Sequence, residues 1–253
     1  MKYMGSKARI AKQILPIMLE EAEKYKVGCW VEPFVGGANV IKSVPNSMER
    51  LGFDNNTYLI EMYKHLQTNG FTYTEEISKE LYNSVRESYN NTSWCVDSQE
   101  MSTSFIGWVG FMASANGRFF DGGYSGVSKT KLGTSRNYID ESVRGLKKEM
   151  FLIQTVDFQT ATYNSLDFEN CLIYCDPPYK GTKTYNTSKN FNYEDFYNWC
   201  RGQAKSNIVF VSEYDAPEDF IEVWNQEVKS SLSANGVCGG SKKSVEKLFR
   251  VFN

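Results

Sequence analysis

The chain lacks any excess of positive charge. Its 253 residues hold 28 Lys and Arg against 30 Asp and Glu, a formal net charge of −2. A whole-molecule positive field is therefore absent, and any contact with a polyanion must rest on local clusters. Histidine is nearly missing. His65 is the only one, which excludes a multi-histidine metal site; it falls in a helical pattern, where a structural or exposed role is expected. The six cysteines stand at 29, 95, 171, 175, 200 and 238 and form no CxxC pair, so zinc-knuckle spacing is missing. No apolar run approaches the ~18 residues of a membrane span. No charged start followed by an apolar stretch marks a secretory leader. The expectation is a cytoplasmic protein with reduced thiols, no membrane partner and no metal. The dinucleotide fingerprint GxGxxG and the P-loop are missing too.

What is present is a core. Apolar residues make up 41% and aromatics 15% of the chain, which argues against disorder. The length suits one large domain, or a domain carrying an inserted one. Charge is unevenly spread. Residues 1–12 hold Lys2, Lys7, Arg9 and Lys12 and no acid. Residues 118–149 hold Arg118, Lys129, Lys131, Arg136, Arg144, Lys147 and Lys148 against only four acids. Near the end, Lys242, Lys243, Lys247 and Arg250 face only Glu246. An ordinary solvated surface produces such runs as readily as a binding face does.

Periodicity gives the organisation. Ile10, Ile14, Met18, Ala22 and Tyr25 predict a helix over 8–26, with Pro16 a point of kinking or division. A short strand over Gly28–Val31 leads into the turn Glu32-Pro33-Phe34-Val35-Gly36-Gly37. A helix is expected over Ala38–Val44, a strand over Leu51–Asp54, and a helix over 56–67. From about 70 to 147 the texture changes to Ser, Asn, Gly and Tyr, with one apolar helix-like patch at Phe105–Ala115 and a turn-dense stretch over 117–126. Short apolar strands resume at Met150–Asp157, Cys171–Cys175, Asn207–Ser212 and Leu248–Phe252, as in a sheet buried on both faces, with a helix at 193–205. The pattern predicts an α/β domain built from 1–67 and 148–253, with 68–147 inserted. Open sheets of this kind bind ligands beyond the carboxyl ends of their strands.

Asp176-Pro177-Pro178-Tyr179 lies directly after the strand Leu172–Cys175. Two prolines fix two φ angles and remove two donors, leaving a rigid ledge of bare carbonyls. A carboxylate and a phenol flank it. Such a ledge suits a flat group bearing an amino donor: one hydrogen to Asp176, one to the Pro177 carbonyl, and the ring against Tyr179. A strand-ending turn is the plain alternative. Glu32 to Gly37 also follows a strand, and its glycines allow a tight turn and close backbone approach. Asp54 ends the second strand, where an acid typically accepts hydrogen bonds from ribose hydroxyls.

Together these segments resemble the Dam-like DNA adenine-N6 methyltransferases of bacteria and phages. Lys2-Tyr3-Met4-Gly5-Ser6-Lys7, Glu32 to Gly37, Asp54 and Asp176 to Tyr179 match in order, and the likeness covers nearly the whole chain. It implies a Rossmann-like S-adenosylmethionine-dependent methyltransferase sheet with an inserted, mostly helical target-recognition domain. It also implies a bacterial or phage-infected cytoplasm, double-stranded DNA as partner, and a monomer or weak dimer. Tyr3 and Lys7 would contact or enclose S-adenosylmethionine, Glu32, Phe34, Gly36 and Gly37 would line its pocket, and Asp54 would hold its ribose. Asp176, Pro177, Pro178 and Tyr179 would be catalytic, with Asp176 also near the cofactor. Arg118, Tyr124, Lys129, Lys131 and Arg136 would meet DNA. Two departures stand out: Ala38 where the family usually has a further glycine, then Asn39 where Ala is usual. Position 3 is Tyr where Trp is frequent. Cytosine N4, a protein glutamine, or DNA binding without catalysis are the alternatives; Asp176 and the long insert favour DNA adenine.

Overall fold

The computed structural model describes residues 1–91, 101–129, 133–180, 191–229 and 243–252. Lys131, Cys95, Cys238 and Lys242 lie outside the described residues. In chain order the elements are α1 (Ala11–Lys24), β1 (Cys29–Glu32), β2 (Glu49–Asp54), α2 (Thr57–Asn69), α3 (Lys79–Asn90), α4 (Thr103–Ala113), β3 (Val127–Lys129), β4 (Ser135–Asn137), α5 (Tyr138–Ile153), β5 (Asp157–Thr160), β6 (Cys171–Cys175), α6 (Tyr193–Gln203), β7 (Ile208–Glu213), β8 (Phe220–Lys229) and β9 (Lys243–Val251). Among the described residues no helix is long and apolar enough to cross a membrane.

The chain folds into two compact units, each discontinuous in sequence. The first consists of Ile10–Val35, Val44–Asn55 and Ala161–Asn253. Its strands run in the order β2-β1-β6-β7-β9-β8. The first four are parallel, with Val31 beside Leu51 and Ile173, and Cys175 beside Val211. β9 lies antiparallel to both β7 and β8. Trp30, Val31, Leu172, Ile173, Val209 and Val211 are wholly buried. Their continuous apolar character, with no alternation, reflects burial on both faces. α1 buries Ile14, Met18 and Ala22 along one stripe. Pro16 sits inside it on the exposed side, and the helix runs through without division.

The second unit consists of Met1–Arg9, Gly36–Ser43 and Asn56–Thr160. Its helices start at capping side chains: Asn56 accepts from the Leu59 amide, Ser78 from Leu81, Ser102 from Phe105, and Asn137 from Ile139 and Asp140. Each cap satisfies an amide that the helix cannot. β3 and β4 form a small antiparallel hairpin. Tyr63 of α2 stacks on Phe158 of β5 at 4.5 Å, and Gln67 donates to the carbonyls of Ile153 and Val156 at 2.8 Å each.

Two expected elements differ. Ala38–Val44 is not an α-helix; only Ile41–Ser43 makes a short 3₁₀ turn. Ala38 takes φ +53°, which an α-helix cannot accommodate, and Pro45 follows soon after. Met150–Ile153 is not strand but the tail of α5, and β5 begins only at Asp157. The run continues the helical stripe Ile139, Val143, Leu146, Met150, Ile153, spaced by threes and fours. α3 and the long β8 were not anticipated from sequence.

Candidate active site

Three neighbouring parallel strands end in carboxylates. β1 ends at Glu32, β2 at Asp54, and β6 passes directly into Asp176. The order β2-β1-β6 and the pairing of Glu32 with Gly52 bring these tips to one edge of the first unit. Glu32 and Asp54 are 3% and 9% exposed. The Trp30 indole donates to Glu32 at 3.1 Å. Burial pushes the Tyr174 phenol well above its ordinary value, and the charges of Asp176 and Glu32 add to that push. One buried group on β6 thus feels both acids. Tyr174 also shares a 2.8 Å hydrogen bond with Ser212.

The turn after β1 begins under the sheet's own control. The Val35 amide donates to the Phe53 carbonyl at 2.7 Å. The Phe34 ring lies 5.6–5.9 Å from those of Tyr163, Phe191 and Phe196. Half-buried Phe34 is therefore an anchor of this turn as well as a lining candidate. Asp54's carbonyl accepts from the Ala161 amide at 3.1 Å.

The loop after β6 is fixed differently. Pro177 and Tyr179 are buried, while Asp176 and Pro178 are half-exposed. The Tyr179 hydroxyl donates to Glu246 Oε2 at 2.9 Å. Its ring stands edge-on to Tyr214 at 4.6 Å. Only 8% of Tyr179 is open, which limits the surface it offers a ligand to part of the ring. Burial, then Asp176 and Glu246, raise its phenol well above the ordinary value, so it stays a donor. Glu213, with 0% exposure, accepts from the Lys180 amide at 2.8 Å and the Tyr214 amide at 2.7 Å. The sequence reading missed Glu213 and Glu246. Glu213 had a signal: it ends β7 as Asp54 ends β2, one residue past where the strand was expected to stop. Glu246 had none, being 67 residues from its partner.

In the second unit, Tyr3 packs over Gly36 and Gly37. A Cβ at Gly36 would stand 2.8 Å from Tyr3 Cε1, and one at Gly37 would stand 2.7 Å from Tyr3 Cβ. Gly36 also needs φ +44°. Only glycine meets both demands. The Tyr63 hydroxyl donates to the Gly36 carbonyl at 3.0 Å, a tie the sequence did not disclose. Tyr3 also stacks with Phe111 at 5.9 Å. Lys7 is buried within a short 3₁₀ turn.

The residues expected to meet DNA are also in this unit, and they are not equivalent. Lys129 is exposed on β3. Arg136 is exposed but forks onto Glu141 with two bonds of 2.6 Å. Glu141 also accepts from Lys2, and Arg136 and Lys2 together hold its carboxyl down to about 2. Arg118 Nε lies 2.9 Å from the Met4 sulfur. The Tyr124 hydroxyl donates to the Ile77 carbonyl at 2.9 Å and its ring packs on Tyr82. The segment around them is strained: Asn116, Phe119 and Phe120 have φ of +58°, +35° and +60°. Such backbone persists only where packing over-determines it, and here Phe119 stacks on Phe111 at 4.8 Å while the Phe120 amide donates to Ser114.

Residues 3–206 match the family model of D12 class N6 adenine-specific DNA methyltransferases. No curated protein matches the chain. Among solved structures, yhhF of Escherichia coli, a candidate methyltransferase, is 7% identical with a TM-score of 0.37, covering 99% of this chain and 91% of its own. SMU.472, a candidate methyltransferase in complex with SAH, is 12% identical with a TM-score of 0.27, covering 74% of this chain and 56% of its own.

Proposed function

The chain belongs to the D12 class of N6 adenine-specific DNA methyltransferases, and from that premise we propose that it moves the methyl group of S-adenosylmethionine to N6 of an adenine swung out of duplex DNA. The observation that carries this reading is the Asp176–Tyr179 loop, set at the end of β6 beside the buried strand-tip acids Glu32 and Asp54. The side chains of Asp176, Glu32 and Asp54 offer acceptors. They fit a cationic ligand whose polar hydrogens are hydroxyl and ammonium. In this reading Asp54 takes the ribose hydroxyls and Glu32 the ligand's positive end. The resemblance adds Phe34, Gly36, Gly37, Tyr3 and Lys7 as cofactor candidates.

When bound, S-adenosylmethionine supplies an electrophilic methyl on a positively charged sulfur. The task of the protein is to make a poor nucleophile adequate, because the N6 lone pair of adenine is delocalised into the ring. Asp176 and the Pro177 carbonyl each accept one N6 hydrogen. That favours a pyramidal nitrogen and stabilises the charge that grows on it. Acceptors fixed before the reaction do this without reorganising, an effect of about 3–4 kcal/mol per key group. As the carbon–nitrogen bond forms, the methyl–sulfur bond would break with its electron pair left on the departing neutral sulfur, and the proton that N6 sheds would pass to Asp176. Tyr179 bounds the ring with its open part. Holding the partners in line supplies further acceleration.

The target atom lies inside a duplex, and extruding its nucleotide costs a few kcal/mol. Residues 68–147 are the proposed target-recognition insert. Lys129 and Arg136 would hold phosphates or guanine edges, and Arg118, Lys131 and Tyr124 are the remaining DNA candidates.

The test is direct. Unmethylated plasmid DNA, the protein and S-adenosylmethionine are incubated, and the digested nucleosides are read by mass spectrometry. The expected product is 6-methyladenine. Its absence from both duplex and single-stranded DNA, or methyl groups found on cytosine, would overturn the proposal.

A further inference from the structure

The loop that carries the proposed chemistry needs two things fixed: its backbone path and the Tyr179 ring. The backbone is held at one end by β6 itself and in its middle by Pro177 and Pro178. At its far end Glu213 accepts from the Lys180 amide. That carboxylate is wholly buried and also accepts from the Tyr214 amide. The path of the chain is thereby settled without Tyr179. The Tyr179 ring is 8% exposed and stands edge-on to Tyr214 at 4.6 Å; packing places the ring, and its buried hydroxyl needs an acceptor.

Glu246 supplies that acceptor and gives the ring a directional hold. It lies on β9, paired with Gln226 of β8 and following Val245, whose side chain is exposed. Its Oε2 accepts the Tyr179 hydroxyl at 2.9 Å. The bond joins a neutral donor to a carboxylate, which makes it stronger than a bond between neutral groups. The phenol remains protonated, because burial and the nearby carboxylates raise it well above its ordinary value. The donor is therefore present throughout the pH range in which such enzymes work.

We propose that Glu246 is a positioning residue for methyl transfer, acting through Tyr179: it fixes the tilt of the ring against which the target base is held. The inference rests on the reading of the Asp176–Tyr179 loop as the base-holding site. Glu246 does not touch the reacting atoms. Its effect is on the geometry of the attack, where small misplacements are costly in rate. A positioning role differs from a structural one in what it leaves unchanged.

The experiment uses the full chain as wild type, Tyr179→Phe, Glu246→Ala, Glu246→Gln and the double variant Tyr179→Phe/Glu246→Ala. Three quantities are measured: kcat on plasmid DNA, calorimetric affinity for S-adenosylhomocysteine, and the thermal midpoint. Glu246→Ala is expected to lower kcat about tenfold while cofactor affinity stays within about twofold of wild type, since Glu246 is assigned no cofactor contact. Glu246→Gln, whose amide oxygen still accepts, should recover most of the rate. The double variant should lose no more than the worse single variant in either kcat or midpoint, because one bond cannot be removed twice. The midpoint comparison tests the coupling without reference to activity. Unchanged kcat in Glu246→Ala, or losses that multiply in the double variant, overturns the inference and leaves the reading of the site standing. A wild type that transfers no methyl group overturns both.

Discussion

Two turns follow two parallel strands of this molecule, and they are built by opposite means. The turn after β1 is shaped by what its residues lack. Gly36 and Gly37 have no Cβ, so Tyr3 lies directly on the backbone. The loop after β6 is shaped by what other residues bring. Its prolines stiffen it, but Glu213 and Glu246, 33 and 67 residues beyond their partners, pin it in place. The first turn needs its own glycines beneath Tyr3, although the Val35–Phe53 bond, the Tyr63 hydroxyl and the rings around Phe34 also hold it. The second depends on strands β7 and β9 being formed. A close-approach turn needs small residues at fixed positions, and any ligand it admits meets backbone. A ledge that must hold acceptors at set points needs rigid outside support, because a charge misplaced by a fraction of an ångström stabilises less.

The largest test of this contrast is Asp176→Ala. If the second loop works by presenting a fixed acceptor, transfer should fall by about 10²–10³-fold, with DNA binding largely kept. Near-normal turnover measured by 6-methyladenine formation would remove Asp176 from the chemistry. Next is Glu213→Ala. Two partly buried amides, those of Lys180 and Tyr214, lose a wholly buried charged acceptor. The expected cost is about 3 kcal/mol, seen as a thermal midpoint lowered by roughly 6–12 °C. A shift under about 2 °C would mean that the loop holds itself, and the contrast between the two turns would collapse.

The same contrast explains what was legible in the sequence. The strand Cys171–Cys175 matches its predicted span to the residue, because an unbroken apolar run ended by Asp-Pro-Pro has few other readings. Asp54 at the tip of β2 was legible too. The helix expected over Ala38–Val44 was not there to be found, since a positive φ at Ala38 leaves no trace in hydrophobic spacing. The strand expected from Met150 was an apolar run that the stripe from Ile139 had already claimed; Phe151, 73% exposed, faces solvent as no buried strand residue would. Glu246 was illegible for a plainer reason. Nothing near it in sequence marks it, and the pairing exists only once β9 lies against β7. Local devices can be read from a sequence, whereas contacts made by the sheet cannot.

The first turn can be broken by adding a single methyl. At Gly37 a Cβ would lie 2.5 Å from Asn39 Nδ2 and 2.7 Å from Tyr3 Cβ. Gly37→Ala must therefore push Tyr3 off the backbone, at a cost of about 2 kcal/mol. Affinity for S-adenosylhomocysteine, measured by calorimetry, should fall at the same time if Tyr3 and the turn serve the cofactor. Loss of stability with affinity intact would leave Tyr3 a packing residue alone.

The smallest effect has the opposite sign and bears most closely on how this turn is made. Ala38 is 2% exposed and sits at φ +53°, where an L-residue pays roughly 1–2 kcal/mol because its Cβ crowds the following carbonyl. The resemblance already marked this position as one where related enzymes carry glycine. Ala38→Gly removes the crowding but also loosens the unfolded chain, which takes back about 0.4–1 kcal/mol. The net expectation is a gain of about 0.5–1 kcal/mol, or roughly 2–3 °C in the thermal midpoint. A gain would mean that this turn works best with no Cβ at a third position, as a turn shaped by what its residues lack should. A loss would mean that the Ala38 methyl packs well enough to offset the strain, and that side-chain contacts rather than bare backbone set the turn's shape at this position.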